Sequence, residues 1–213
     1  QYYAINADQT AHKPENLSFE EAAGLGLAGT TAWEAIFDAG QLKADQTVLI
    51  LAGSGGVGLM AIQLAKNAGA HVVTTTSSKN SDYVKSLGAD EVIDYNKDDF
   101  STRLSNIDLV FDTLGGDNQK AAFKVVRPGG RLISIVETTD QAKALGNQYG
   151  VYFDKINAHP DKKIMAKLAD MFGSGKLVVR VAENLPFTVE NVRKMHLESE
   201  SGHVVGKLVL NIN

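Results

Sequence analysis

The stretch that most constrains this chain is Val48-Leu49-Ile50-Leu51 running into Gly53-Ser54-Gly55-Gly56-Val57-Gly58. Four consecutive apolar residues bounded by a turn signal read as a short strand buried on both faces. The segment beyond the turn carries Leu59, Ile62 and Ala65 at helical spacing, so strand, glycine turn and helix follow in order. In a chain with 20 glycines a G-x-G-x-x-G match means little alone, and this setting gives it its meaning. There Gly53 permits the tight turn, Gly55 lets a pyrophosphate approach the backbone, and Gly58 lets the helix pack closely on the sheet. Ser54, Gly56 and Val57 complete a loop at a helix N-terminus, where unpaired amides and the positive dipole end favour phosphate.

From Thr47 onward, β-rich runs alternate with helical patterns, the signature of βαβ units and a parallel sheet. The runs predict strands over Thr47 to Leu51, His71 to Thr75, Glu91 to Asp94, Ile107 to Asp112, Arg131 to Val136 and Val151 to Lys155. Gly69 and Gly88 sit where left-handed helix caps belong, and Pro128-Gly129-Gly130 reads as a turn before the fifth strand. The expected fold is therefore α/β, a Rossmann doubly wound parallel sheet flanked by helices. Before it, Tyr2 to Asn6 suggests a strand, and Ser18-Phe19-Glu20-Glu21 has the form of a capping box opening two helices that end near Asp38. After it, the pattern predicts helix Asp161 to Ser174, strand Leu177 to Val181, helix Thr188 to Glu200 and strand Val204 to Asn211. These readings divide the chain into a leading strand and linker (1–17), the dinucleotide-binding domain (18–160) and a C-terminal segment (161–213).

The end of the second strand reads the ribose, because an acid there would bind the 2′-hydroxyl of NAD and repel a 2′-phosphate. Thr74-Thr75-Thr76-Ser77-Ser78-Lys79-Asn80 places hydroxyls and one cation there instead. Two readings stand, a site for the 2′-phosphate of NADPH and a plain solvated loop, and the position relative to the glycine turn favours the first. Composition closes off other classes. The formal net charge of -4 gives no field that would gather nucleic acid or anionic lipid. The absence of cysteine excludes disulfides and thiolate chemistry in this stretch and fits a reducing, cytoplasmic setting. No apolar run approaches membrane-spanning length. The five histidines, His12, His71, His159, His196 and His203, share no spacing and read as structural or solvated.

Read together, these residues resemble the zinc-independent medium-chain dehydrogenase/reductases, specifically their NADPH:quinone oxidoreductase branch. The likeness runs through His12-Lys13-Pro14-Glu15-Asn16-Leu17-Ser18-Phe19, Thr30-Thr31-Ala32-Trp33, the glycine turn, Leu87-Gly88-Ala89-Asp90, Val92-Ile93-Asp94-Tyr95, Asp112-Thr113-Leu114-Gly115-Gly116 and Gly206-Lys207-Leu208-Val209-Leu210. The resemblance implies that Thr31 lies near the nicotinamide and that Ser77, Lys79 and Tyr95 surround the 2′-phosphate. It further implies that Leu114, Gly115, Ile135, Val136 and Phe153 line the rest of the cofactor groove. Zinc-dependent relatives have a cysteine ligand where this chain has Leu27, so catalytic zinc is not expected. The family's β-rich substrate-side domain precedes the linker, and the resemblance implies that only remnants of it are present, at both ends. The chain as it stands is accordingly expected not to turn over a substrate alone.

The implied activity is NADPH-dependent hydride transfer to a quinone or an activated enone, with no catalytic residue named. The alternatives are a non-catalytic NADPH-binding protein and a Rossmann-type methyltransferase. The sixth predicted strand carries Tyr152 and Phe153 on an open sheet edge, and a homodimer is expected to cover it.

Overall fold

The computed structural model describes residues 4–136, 139–159 and 161–212. Six parallel strands, β1 (Thr47–Ile50), β2 (His71–Thr76), β3 (Glu91–Asp94), β4 (Ile107–Asp112), β5 (Val126–Ser134) and β6 (Tyr152–Lys155), form one sheet in the order β3-β2-β1-β4-β5-β6. Alternate residues feed opposite layers, as the two-residue period of a strand requires. Val48, Ile50, Val72, Leu109, Phe111 and Ile133 join one apolar cluster, and Leu49, Leu51, Val73, Val110 and Leu132 join the other. Both faces are thus buried, which explains the unbroken apolar spelling of β1, and each such side chain contributes roughly 1.5 to 3 kcal/mol.

Helices α1 (Phe19–Trp33), α2 (Gly56–Asn67), α3 (Ser81–Ser86), α4 (Phe100–Arg103), α5 (Gly116–Ala122) and α6 (Asp140–Tyr149) join and flank these strands. The capping box at the head of α1 is formed, with Glu21 N donating to Ser18 Oγ at 3.1 Å and Ser18 N to Glu21 Oε2 at 2.9 Å. In place of two helices up to Asp38 there is one, whose end widens into a π-turn over Glu34–Asp38 with Ala39 N on Glu34 O. Gly69 and Gly88 take φ of 82° and 113°, the left-handed conformations expected of them. The predicted turn Pro128-Gly129-Gly130 lies inside β5, not before it. A register shift between Ile107 and Leu109 absorbs these residues as a bulge, where the amide missing from Pro128 need not interrupt a regular ladder.

The leading strand is not found: Tyr2 and Tyr3 lie outside the described residues, and Ala4 to Asn6 pairs with nothing as a strand. Asn6 instead caps a 3-10 turn over Ala7–Gln9, its side chain accepting from Asp8 N. After the sheet come α7 (Lys162–Gly173), packed on α1, then β7 (Val181–Pro186), α8 (Val189–Glu200) and β8 (Lys207–Asn211). β7 and β8 pair in parallel as a separate small sheet, and the chain entering β8 touches the glycine turn, with Gly206 N donating to Ser54 O at 3.1 Å.

The predicted strand Leu177 to Val181 is also displaced, since β7 begins only at Val181. The reason is local. The backbone of 176–178 is held by side chains of α2: Asn67 Nδ2 donates to Lys176 O, Gln63 Nε2 to Val178 O, and Val178 N donates to Gln63 Oε1 at 2.8 Å. Gln63, 4% exposed, stands in for a neighbouring strand, and Leu177 and Val179 are buried on either side of it.

Gln63→Leu should therefore remove both hydrogen bonds to the part-buried backbone of Val178 and destabilise the chain by about 2 kcal/mol, read as a lower midpoint in urea. A second expectation concerns Asp90, before β3, which accepts from Lys66 Nζ at 2.6 Å and from Val72 N at 2.8 Å and lies near His71. Partial burial would raise its pKa, but the Lys66 ammonium and the Val72 amide outweigh that and hold it below the ordinary carboxylate value. A depressed pKa contributes stability above the unfolded-state value and loses it as pH falls through the folded one. Asp90→Asn should accordingly lower the urea midpoint at pH 7 and make little difference near pH 2.

Candidate functional site

The turn after β1 is fixed by backbone crowding. Ala52, at φ 53°, donates its amide to Thr75 Oγ1, and Gly53 N donates to Thr75 O, so β2 holds the turn from one side. A Cβ on Gly53 would overlap the Thr74 hydroxyl, and one on Gly58 would overlap the Ala52 carbonyl oxygen and fall 2.7 Å from Gly53 Cα. Both positions thus exclude a side chain on steric grounds. Gly55 caps α2 without a side chain, leaving the first-turn amides of Gly56, Val57 and Gly58 at the mouth of the turn.

Beside this turn lies a cleft of about 380 Å³, whose walls include Ser54, Gly55, Ser77, Lys79, Tyr95 and Leu114. The structure therefore brings together six of the residues expected at the site. Thr76 Oγ1 donates to Ser54 Oγ at 2.9 Å and ties the end of β2 to the turn. Asn80 Nδ2 reaches Ser77 Oγ at 3.2 Å and braces the short 3-10 turn Ser78–Asn80 that carries Lys79. Tyr95, half exposed, follows β3 on the far wall.

Sequence reading missed six contributors. Phe100 and Asn118 line the cleft, as do Gly202, His203 and Val204 from the far end of the chain, and no spacing pattern links them to the turn. The sixth, Asp94, is opposite Thr76 in the β2–β3 register, so an acid does stand next to the loop expected to read the ribose, but on the neighbouring strand. The Asn96 amide bonded to it, aided by the Ser78 hydroxyl and Lys97, outweighs its desolvation and lowers its pKa. Its Oδ2 is buried and lies 3.5 Å from Lys97 Nζ.

The remaining expected residues divide. Gly115 and Val136 meet at the ends of β4 and β5, where a Cβ on Gly115 would lie 3.0 Å from Val136 Cγ1, and Ile135 packs against the core beside them. Thr31 is 7% exposed and donates to Leu27 O in its own helix at 2.7 Å, away from the cleft. Phe153 packs edge-on against Phe123, ring centroids 5.4 Å apart, so its ring belongs to the core. A second concavity, of about 490 Å³, lies across the turn, between Gly56 and Val57 on one side and α8 and β8 on the other. Among the described residues no three His, Cys, Asp or Glu converge as metal ligands, and no helix is long and apolar enough to cross a membrane.

Comparison with known proteins follows this geometry. Residues 87–210 match the family model described as zinc-binding dehydrogenase. The chain is 31% identical to the mitochondrial NAD(P)H oxidoreductase RTN4IP1 of Danio rerio, over 100% of its own length and 62% of the relative's. It is 36% identical to 2-methylene-furan-3-one reductase of Solanum lycopersicum, over 99% and 52% of the two lengths. Among solved structures, the quinone oxidoreductase of Coxiella burnetii superposes with a TM-score of 0.89 at 33% identity, covering 95% of this chain and 64% of that one. The Escherichia coli quinone oxidoreductase complexed with NADPH gives 0.86 at 25% identity, covering 97% and 69%. The chain thus spans 52% to 62% of the length of these two curated relatives. A six-stranded doubly wound sheet, a sterically required glycine turn and these matches lead to one conclusion: the chain belongs to the zinc-binding dehydrogenase family, the medium-chain dehydrogenase/reductases.

Proposed function

We propose that this chain holds NADPH for an oxidoreductase that passes hydride to a quinone or an activated enone. The observation that carries the reading is the cleft itself, which joins the N-terminus of α2 to a loop of hydroxyls and one lysine at the point where the strand order reverses. The residues fit the cofactor. Gly55, on the wall of the cleft, puts no side chain where a pyrophosphate must come close to backbone amides, and Lys79 lines the cleft without an ion-pair partner among the described residues. When bound, the reduced nicotinamide supplies the hydride.

The chain's own residues bind and orient. The amides of Gly56, Val57 and Gly58 would face the pyrophosphate, and Ser77, Lys79 and Tyr95 would surround the 2′-phosphate. Leu114, Gly115, Ile135 and Val136 wall the rest of the groove and exclude water beside the acceptor. The Thr31 hydroxyl is committed to its own helix, so a role near the nicotinamide falls to its methyl and backbone. We read the reaction as independent of zinc, because Leu27, 69% exposed, stands where zinc-dependent relatives have a cysteine ligand. Family membership disfavours the methyltransferase alternative, whereas NADPH binding without turnover shares every contact named above. A cysteine-free sequence suits a reducing compartment such as the cytoplasm.

The same reading includes a homodimer through β6, the outer strand of the sheet, where Tyr152 is 50% exposed and the Arg131 guanidinium lies 4.5 Å from its ring centroid. A bare strand edge is a pairing surface, and a second copy of β6 would cover it. Sedimentation at micromolar concentration should give a dimer that Tyr152→Lys dissociates. A wild-type monomer would remove the dimer from the proposal.

The cofactor preference is tested by titration with nicotinamide fluorescence. A hydrogen bond to a charged group is worth roughly 1.5 to 3 kcal/mol, so NADPH should bind about ten- to a hundredfold more tightly than NADH at low salt. Raising the ionic strength should narrow the gap, since the contact is partly Coulombic. Lys79→Ala should weaken NADPH alone. Equal losses for both cofactors would show that Lys79 supports the loop and not the phosphate, and absence of binding to either would overturn the reading.

A further inference from the structure

An extended dinucleotide bound at a strand-order reversal lies across both halves of the sheet. Ser77, Lys79 and Tyr95 sit beyond β2 and β3 and account for the adenosine half, so the other half must cross the ends of β4 and β5. Two short segments lie there, 113–115 and 135–136, and one buried network fixes both.

Its centre is Asp112, the last residue of β4, with 0% exposure. Oδ1 accepts the amides of Leu114 at 3.0 Å and Gly115 at 2.9 Å. Oδ2 accepts Gln119 Nε2 at 2.8 Å and Ser134 Oγ at 2.9 Å. Ser134, also fully buried, in turn accepts the amide of Val136 at 3.2 Å. The carboxylate therefore holds the segment after β4 directly and the segment after β5 through one hydroxyl. No lysine or arginine is paired with it among the described residues, so four neutral donors alone satisfy this buried carboxyl group. A well-packed apolar residue would serve stability at such a position at least as well. What a carboxylate adds is direction, since it fixes two backbone amides on one side and a hydroxyl on the other.

We propose that Asp112 and Ser134 are positioning residues for the nicotinamide half of the cofactor site, setting Leu114–Gly115 and Ile135–Val136 at the separation that half requires. The proposal rests on the NADPH reading above. It assigns neither residue a contact with cofactor or substrate.

The test compares NADPH with adenosine 2′,5′-bisphosphate, which has the 2′-phosphate and adenosine but no nicotinamide, by calorimetric titration of the chain and its Ser134→Ala variant. Removing one hydroxyl from a buried site leaves the strand intact while freeing the Val136 amide. NADPH affinity should fall about fivefold while the bisphosphate binds as before. Asp112→Asn, which presents an amide group to the Gln119 donor, should act in the same direction, and if it does not fold the Ser134 variant decides alone. Equal losses for both ligands would reduce the network to plain structural support, and unchanged NADPH binding would overturn the proposal outright. A wild-type chain that binds neither ligand would instead overturn the cofactor reading on which it rests, so the two failures are distinguishable.

Discussion

Helix α2 lies so close to the strand it leaves that a single methyl group at Gly53 or Gly58 would collide with backbone or with Thr74. The rest of the site follows from that closeness. With the helix pressed onto the sheet, its first amides reach the crest of β1, and the polar ends of β2 and β4 become the walls on either side. Strand order then determines which wall does what. Because β1 pairs with β2 on one flank and β4 on the other, the sheet opens at this crest and nowhere else.

The two walls are built by different physics. On the β2 side, hydroxyls and an amide side chain hold one another, with Thr76 on Ser54 and Asn80 on Ser77, in a loop that remains accessible to solvent. On the β4 side, a carboxylate with no exposure organises the backbone from beneath. The first arrangement can adjust to a charged group arriving from water. The second is fixed when the protein folds, since loosening it would strand buried polar groups without partners. A ligand lying across both would meet one wall that yields and one that does not.

Sequence made the six parallel strands legible because both faces of the sheet are buried, and β1 spells this out in four apolar residues. It also located the glycine turn, whose residues are dictated by local sterics. It failed where partners are distant in sequence. Residues 177–181 have the composition of a strand, but their hydrogen bonds go to Gln63 and Asn67 on α2, which no local pattern reveals. Asp94 escaped notice for a similar reason: the acid sought at the end of β2 comes from the strand beside it. Thr31 and Phe153 entered through family likeness alone; the Thr31 hydroxyl bonds within its own helix and the partly buried Phe153 ring packs against the core.

The bond from Gly206 N to Ser54 O bears on how the protein is made. Gly206 leaves the ribosome about 150 residues after the turn it bonds, by which time the sheet can already have formed. During that interval the mouth of the turn stands open to water along the edge that β8 will line. A nascent chain stalled before Gly206 would thus carry a finished sheet with an unfinished cleft.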